Sequence, residues 1–286
     1  MSQVAIPSQQ GAWFSLRRAR AFRTKTFVAG MLIVGFMVVA AAAAPLIAPA
    51  DPLDQDVTRV LEQPSSEHLL GTDHLGRDFL SRLIYAARLD LRIGVVAVLL
   101  AFVTGSLVGC IAGYFGRLAD TVIMRFADVV AAIPITVLVI ALVFVLGQGE
   151  RSIYVAFVAF GWVAYARIVR AEVILARKRD YVVAARAAGL GPVRILRRHI
   201  LPNAMTQALT FAMTDVVNVI LAIVVLGFLG LGVPPPTPEW GAMIAEGQTL
   251  VESHWYLSTV PGLLVVLTGL GFALMGDGLA DLLRPE

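Results

Sequence analysis

Six apolar stretches, at residues 27–48, 93–115, 129–146, 152–169, 205–233 and 258–276, restrict what this chain can fold into more than any other feature. Each approaches the roughly 20 residues that a helix needs to cross about 30 Å of hydrocarbon. In lipid the backbone must satisfy its own hydrogen bonds, which leaves helices or closed barrels, and the alternating pattern of a barrel is absent. With 58% hydrophobic and only 15% charged residues, the 286-residue chain also carries more apolar surface than one soluble core buries. The sequence therefore predicts an all-α polytopic membrane protein with six transmembrane helices. AAAAPLIAPA at 41–50 is similar to a small-residue cleavage site, but the polar leader of 26 residues and the 22-residue apolar run are both long for a signal peptide, so the first stretch reads as an uncleaved anchor. Cys110, the single cysteine, lies inside the second stretch and excludes an internal disulfide or a cysteine cluster.

Basic residues stay on the cytoplasmic side of a membrane, and here they are strongly asymmetric. The leader holds Arg17, Arg18, Arg20, Arg23 and Lys25, the loop after the second stretch holds Arg117 and Arg125, and Arg284 closes the chain. Residues 167–202 hold Arg167, Arg170, Arg177, Lys178, Arg179, Arg186, Arg194, Arg197 and Arg198. On the other side stand only Arg59, Arg77, Arg82, Arg88 and Arg151, with Arg92 at the edge of the second stretch, while 234–257 has three Glu and no Lys or Arg. Both termini are thus expected in the cytoplasm. The net charge of +3 is a topology signal, since nucleic-acid binding calls for a clustered basic face on a soluble fold.

The basic segment RDYVVAARAAGLGPVRILRRHILPNA, 179–204, predicts two short helices. Tyr181, Ala184, Ala185 and Ala188 share a small-residue face that would allow close approach by another surface. Gly189 stops the first helix in a left-handed conformation, and Gly191-Pro192 starts a second that ends near His199, Ile200, Leu201 and Pro202. The residues alone leave two readings open, a surface-lying loop on anionic lipid and a docking element for a protein.

This stretch resembles the cytoplasmic EAA loop of binding-protein-dependent ABC importer permeases, with Ala184, Ala185, Gly189, Leu201 and Pro202 at the family spacing. Val183 stands where the pattern has glutamate, and His199 where it has isoleucine. HLLGTDHLGRDFLSRLIYAAR at 68–88, FLGLGVPPPTPEWGAM at 228–243 and GDGLADLLRP at 276–285 are similar to further segments of the dipeptide, oligopeptide and nickel branch, so the matches run over most of the chain. Where many relatives carry a glutamate near 223, this chain has Ile223. The resemblance implies the shorter, C-type subunit of a heterodimeric permease with a type I ABC importer fold. It implies that Tyr181, Ala184, Ala185, Arg186, Ala188, Gly189, Leu190, His199, Leu201 and Pro202 dock as a coupling element on a cytoplasmic ATPase.

A second permease subunit, two cytoplasmic ATPases and an extracytoplasmic solute-binding protein are the implied partners, in a prokaryotic inner membrane whose lipid the chain also contacts. The chain is expected to bind no cofactor: Lys25 and Lys178 are its only lysines and neither follows a glycine, so no phosphate-binding P-loop exists, and ATP and Mg²⁺ fall to the partner ATPases. The expected organisation is a cytoplasmic segment 1–26, a first span and external loop 27–92, and a permease core 93–286 with its coupling loop at 170–202.

Other polar features carry paired readings. Gly105, Gly109 and Gly113 form two G-x-x-x-G steps, read as helix packing. Gln207, Thr210, Thr214, Asp215 and Asn218 form a stripe on the fifth span, broken by Phe211, with Asp215 close to mid-bilayer. Gln207, Thr214, Asp215 and Asn218 either line the translocation path or bond neighbouring helices. GTDHLGRD at 71–78 is either a structural cap, with Asp73, Arg77 and Asp78 pairing, or, with Trp240, an outer rim for the solute-binding protein. His68, His74, His199 and His254 show no metal-binding motif. The expected function is a non-catalytic permease subunit of an ATP-driven peptide importer. The alternatives are the same machinery carrying nickel or another small solute, and an ion-driven secondary transporter, which the single clear intramembrane acid and lack of an internal repeat disfavour. A membrane-integral hydrolase lacks its metal and nucleophile motifs.

Overall fold

The computed structural model describes residues 25–283, and within them the regular structure is helical, with one isolated bridge between Thr72 and Asp78. The leader arginines and Arg284 lie outside the described residues. In chain order the helices are α1 (Lys25–Ala42), α2 (Ala44–Ile47), α3 (Phe79–Phe115), α4 (Arg117–Ala131), α5 (Ile135–Leu146), α6 (Glu150–Ala176), α7 (Asp180–Ala187), α8 (Pro192–Ile195), α9 (Leu201–Phe228), α10 (Trp240–Gln248) and α11 (Tyr256–Leu283). A π-helical turn, Leu196–Ile200, joins α8 to α9. Five runs, containing α1, α3, α6, α9 and α11, are long and apolar enough to cross a membrane.

The third expected span is not one helix. Between α4 and α5 the axis bends by 82°, leaving only 12 residues in α5, about 18 Å of helix. Pro134 accounts for the break, since it has no N–H to donate and disfavours the helical region for Ile133. Because α3 and α6 run parallel, the bent pair has to return the chain from one end of the bundle to the other, and it counts as a sixth candidate span, broken in the middle. The first span also breaks, at Ala43, where Pro45 enters the start of α2. The second is longer than expected: α3 begins at Phe79, which gives 37 residues, or roughly 55 Å, and projects a polar extension beyond the hydrocarbon.

The central contact is between α3 and α6, which run parallel. A Cβ at Gly109 would lie 2.5 Å from the Ala166 carbonyl oxygen and 2.9 Å from its Cα; one at Gly105 would strike Trp162 and Tyr165, and one at Gly113 would meet Arg170 and Val173. The G-x-x-x-G steps thus do bring two backbones together. Arg170 fixes α4 to α6 through both oxygens of Asp120, and Arg167 pairs with Asp128 at 2.8 Å. Antiparallel α9 and α11 complete the core. Helix α1 packs along α11 and α3 at the periphery, with 22% of its apolar window buried against 50% for α6.

The two ends differ. One carries residues 43–78, 147–149 and 229–255, and is clamped by buried charge. Asp73 accepts from Arg77 Nε at 2.7 Å and from Arg82, and Arg82 reaches Glu246 on α10 at 2.7 Å. Burial acts to raise the Asp73 carboxyl, but Arg82, the Leu75 N–H and Arg77 outweigh it and hold it below the usual aspartate range. Asp78 caps α3 by accepting from the Ser81 N–H at 2.7 Å and meets His68 at 2.9 Å. Glu239, fully buried, caps α10 by accepting from the N–H groups of Gly241 and Ala242, and its carboxyl fills space that Gly227 leaves free. The adjacent Trp240 N–H donates to Asp90 of α3 at 3.0 Å. The opposite end carries α7, α8 and the π turn, an elbow with far less buried side chain.

Two outcomes follow from this packing. Gly109→Val should destabilise the protein by about 1–3 kcal/mol, because the α3–α6 backbones must separate, whereas Gly35→Ala, with nothing within 4 Å of the added carbon, should be neutral or stabilising. Thermal melting of the detergent-solubilised protein separates them, and equal effects would refute the close-contact account. Burial pushes the Glu239 carboxyl up to about 7 from the ordinary 4.5, against the Gly241 and Ala242 N–H groups that favour ionisation. The folded state therefore holds the proton more tightly than the unfolded chain, so stability should be full below 4.5 and fall as pH rises toward 7 and beyond. Glu239→Gln should flatten that slope in melting curves taken from pH 5 to 8; an unchanged slope would assign it to another group.

Candidate functional site

Two places hold the residues singled out in the sequence. The first is the elbow between α6 and α9. Helix α7 stops at Ala187, Gly189 follows with φ +78°, and α8 opens on Pro192, as the glycine and proline positions predict. Val182, Ala185, Ile195 and Ile200 are buried and join the elbow to the core of the bundle beside Val173, Ala176 and Ala204. Ala185 is consequently not on the presented face: it turns inward beside Val182, while Tyr181, Val183, Ala184, Arg186, Ala188 and Gly189 are exposed. Leu190, His199 and Leu201 are half-buried, and Pro202 is exposed. Asn203 donates to the Tyr181 hydroxyl at 3.3 Å and to the His199 carbonyl at 3.2 Å, tying α7 to the start of α9. A groove of about 610 Å³, bordered by Glu172, Arg179, Tyr181 and Asn203, opens beside it.

The second arm of the elbow is not a separate helix, contrary to the sequence expectation. From Pro192 to Phe228 the chain is one helical run of 37 residues, passing through the π turn without a break. The wider turn suits Pro202, whose ring would otherwise crowd the carbonyl four residues back and which has no N–H to give it. The elbow is therefore covalently and helically continuous with the span that carries Asp215.

Asp215 and Asn218 form the second place. They border a cavity of about 430 Å³ whose walls come from the α5 start, α6 and α9, including Thr136, Phe157, Gly161 and Ala222. The Tyr165 hydroxyl, on α6, donates to the Asp215 carboxylate at 2.7 Å, and the Tyr165 ring is held edge-on between Phe102 and Phe211. Gln207 and Thr214 do not reach this cavity: Gln207 is exposed nearer the elbow, and Thr214 lies against Gly276 of α11. The polar stripe is thus split between two surfaces. Tyr165 escaped the sequence reading because an aromatic in an apolar span has the same signature whether it packs or bonds; its partner is fifty residues away.

The outer loop contradicts the rim assignment. Asp73, Arg77, Asp78 and Trp240 are at most 3% exposed, so they cannot be the surface that a protein touches. Asp73 and Arg77 do pair, but Asp78 caps α3 and meets His68 instead, and Trp240 is sealed under α10. Asp73, His74 and Glu246 bring three possible ligand atoms within 4.8 Å of one another. The guanidinium groups of Arg77 and Arg82 already occupy both carboxylates and oppose a metal ion there.

Residues 105–286 match the family described as binding-protein-dependent transport system inner membrane component, and residues 10–64 match the N-terminal transmembrane domain of oligopeptide transport permease C. The chain is 41% identical over 268 residues to the di/tripeptide transport system permease protein DppC of Pseudomonas aeruginosa, covering 92% of this chain and 88% of the relative. It is 37% identical over 287 residues to the dipeptide transport system permease protein DppC of Bacillus subtilis, covering 100% and 88%, and 36% identical over 283 residues to that of Haemophilus influenzae, covering 97% and 94%. With its helical bundle, its elbow between α6 and α9 and these matches, the chain belongs to the binding-protein-dependent ABC importer permeases of the inner membrane, as a C-type subunit with the type I fold.

Proposed function

We propose that this chain forms one half of the translocation pathway of an ATP-driven importer of short peptides, and that its elbow receives the stroke of a cytoplasmic ATPase. The observation that carries the reading is the single helical run from Pro192 to Phe228, which places the elbow and Asp215 on one rod. A helix closes its hydrogen bonds within itself, so a push on its first turns displaces the whole span, and with it one wall of the cavity. The peptide cargo is drawn from the names of the relatives, and the cavity suits it better than a soft metal, since no imidazole or thiol lines it.

In this reading a second permease subunit closes the cavity from the other side, two ATPases dock at the elbows, and an extracytoplasmic binding protein delivers cargo at the clamped end. The charge asymmetry supports a cytoplasmic elbow and cytoplasmic termini. ATP and Mg²⁺ belong to the ATPases; this chain makes and breaks no covalent bond. The surface offered to the ATPase is Tyr181, Ala184, Arg186, Ala188, Gly189 and Leu190 with His199, Leu201 and Pro202 behind them, while Ala185 supports the fold of the elbow. Asp215 and Asn218 border the path; Gln207 and Thr214 lie off it.

The assembled complex should show vanadate-sensitive dipeptide uptake in proteoliposomes. Ala184→Arg, which places a long charged side chain on the exposed face of α7, should lower uptake at least tenfold and lower uptake per ATP hydrolysed, while leaving the permease pair folded. Undiminished uptake by that variant in an assembled complex would refute docking at this face, and uptake by the lone chain without nucleotide would refute the whole reading.

A further inference from the structure

The cavity beside Asp215 has an electrostatic deficit. Asp215 is the one ionisable side chain among the described residues that line it, and Thr136 and Asn218 are its other polar groups. No basic side chain among the described residues forms an ion pair with Asp215; its carboxylate is met by two neutral groups, the Tyr165 hydroxyl at 2.7 Å and the Asn218 side chain. A carboxylate inside a bilayer is costly, and a phenol offsets part of that cost without supplying positive charge. If the group served only to join α6 to α9, an amide would make the same bond without the penalty. The carboxylate instead faces a cavity large enough for a small organic molecule, within the roughly 300–1,000 Å³ range of ligand pockets.

We propose that the Asp215 carboxylate, oriented by the Tyr165 hydroxyl and the Asn218 side chain, accepts the α-ammonium group of a short peptide as it passes, and that the hydrogen-bonding capacity Asn218 does not spend on Asp215 goes to the peptide group next to it. The proposal rests on the reading of the chain as half of a peptide path. An α-ammonium with a pKa of about 8 is largely protonated at neutral pH and supplies the charge that the cavity lacks. Asn218 lies three residues beyond Asp215, on the same side of α9, so one ligand can span both. No basic side chain among the described residues lines this wall, so the peptide's own carboxylate is left to the facing subunit. The site would favour free amino termini over blocked ones.

The test uses the whole transporter in nanodiscs, with alanyl-alanine and N-acetyl-alanyl-alanine as probes and saturation-transfer NMR as the direct readout, alongside uptake of alanyl-alanine in proteoliposomes. With the binding protein left out of the NMR samples, the wild type should contact the free-amine peptide at least fivefold more strongly than the blocked one. Asp215→Asn should erase that preference and raise the uptake KM about tenfold. Asp215→Glu should still prefer the free amine, and Tyr165→Phe, which keeps the charge but frees it, should weaken the preference about threefold. If Asp215→Asn does not assemble, the Tyr165→Phe and Asp215→Glu results decide alone, and equal contact by both peptides in the wild type overturns the proposal outright. If Asp215→Asn slows uptake yet keeps the amine preference, the ammonium assignment fails while the path reading stands. Unchanged uptake in both Asp215→Asn and Asn218→Ala sinks the two together.

Discussion

The continuity of the backbone hydrogen-bond ladder from Pro192 to Phe228 is the constraint on which the rest of the molecule's mechanics depends. A flexible joint between elbow and span would absorb a push locally; a helix with one wide turn does not. Pro202 is the one residue that would ordinarily break such a rod, and the π turn takes up its missing donor and its ring while keeping the chain helical. The Asn203 bonds to Tyr181 and to the His199 carbonyl then hold α7 against the rod, so that a force on either arm of the elbow reaches α9.

A rod moves usefully only against something that stays in place. The α3–α6 pair supplies that frame, because its backbones come together at Gly105, Gly109 and Gly113, where Gly109 lies directly against the Ala166 backbone and the other two leave room for Tyr165 and Val173. The far end is held by a different kind of contact. Buried Arg77 and Arg82 share buried Asp73 and the partly exposed Glu246, and removing Asp73 would strand buried guanidinium charge, which makes the clamp resistant to partial opening. At the elbow end the buried apolar contact of α7, α8 and the π turn comes from Val182, Ala185, Ile195 and Ile200, with no buried ion pair among the described residues there. The bundle is thus stiff where α10 caps it and more easily displaced at the elbow.

The apolar spans were legible because burial in lipid selects on composition over about 20 residues, a scale that a sequence displays directly. What was not legible depends on contacts between distant residues or on single backbone groups. Hydropathy counts residues 129–146 as one span because Pro134 is apolar, although its missing N–H divides the helix. It starts the second span at 93 because Arg82, Asp90 and Arg92 interrupt the run, although α3 continues through them with Arg82 and Asp90 buried among partners. Periodicity put Ala185 on the docking face, yet a short helix lying on a rod buries the side it rests on, and that side includes Ala185. The rim assignment failed similarly: charged residues in an outer loop look exposed until the partner that buries them, Glu246 on α10, is known. Gly109 and Gly189 were read well because glycine's use is local, close approach in one case and positive φ in the other.

A conduit has to hold its cargo weakly, since anything bound tightly at mid-membrane would not leave. The α9 wall fits that requirement. It offers one carboxylate and one amide in a cavity whose other polar group is the Thr136 hydroxyl, so few groups would hold a ligand there. Tight, shape-selective recognition needs enclosure and several converging polar groups, which this chain does not assemble. On the proposed reading, selectivity for side chains would lie upstream of the membrane, and the membrane half would need to recognise only what all its cargo shares. For short peptides that is a charged amino terminus followed by an amide, and a single acid with an asparagine one turn along the same helix is the smallest arrangement that can tell it from the surrounding lipid.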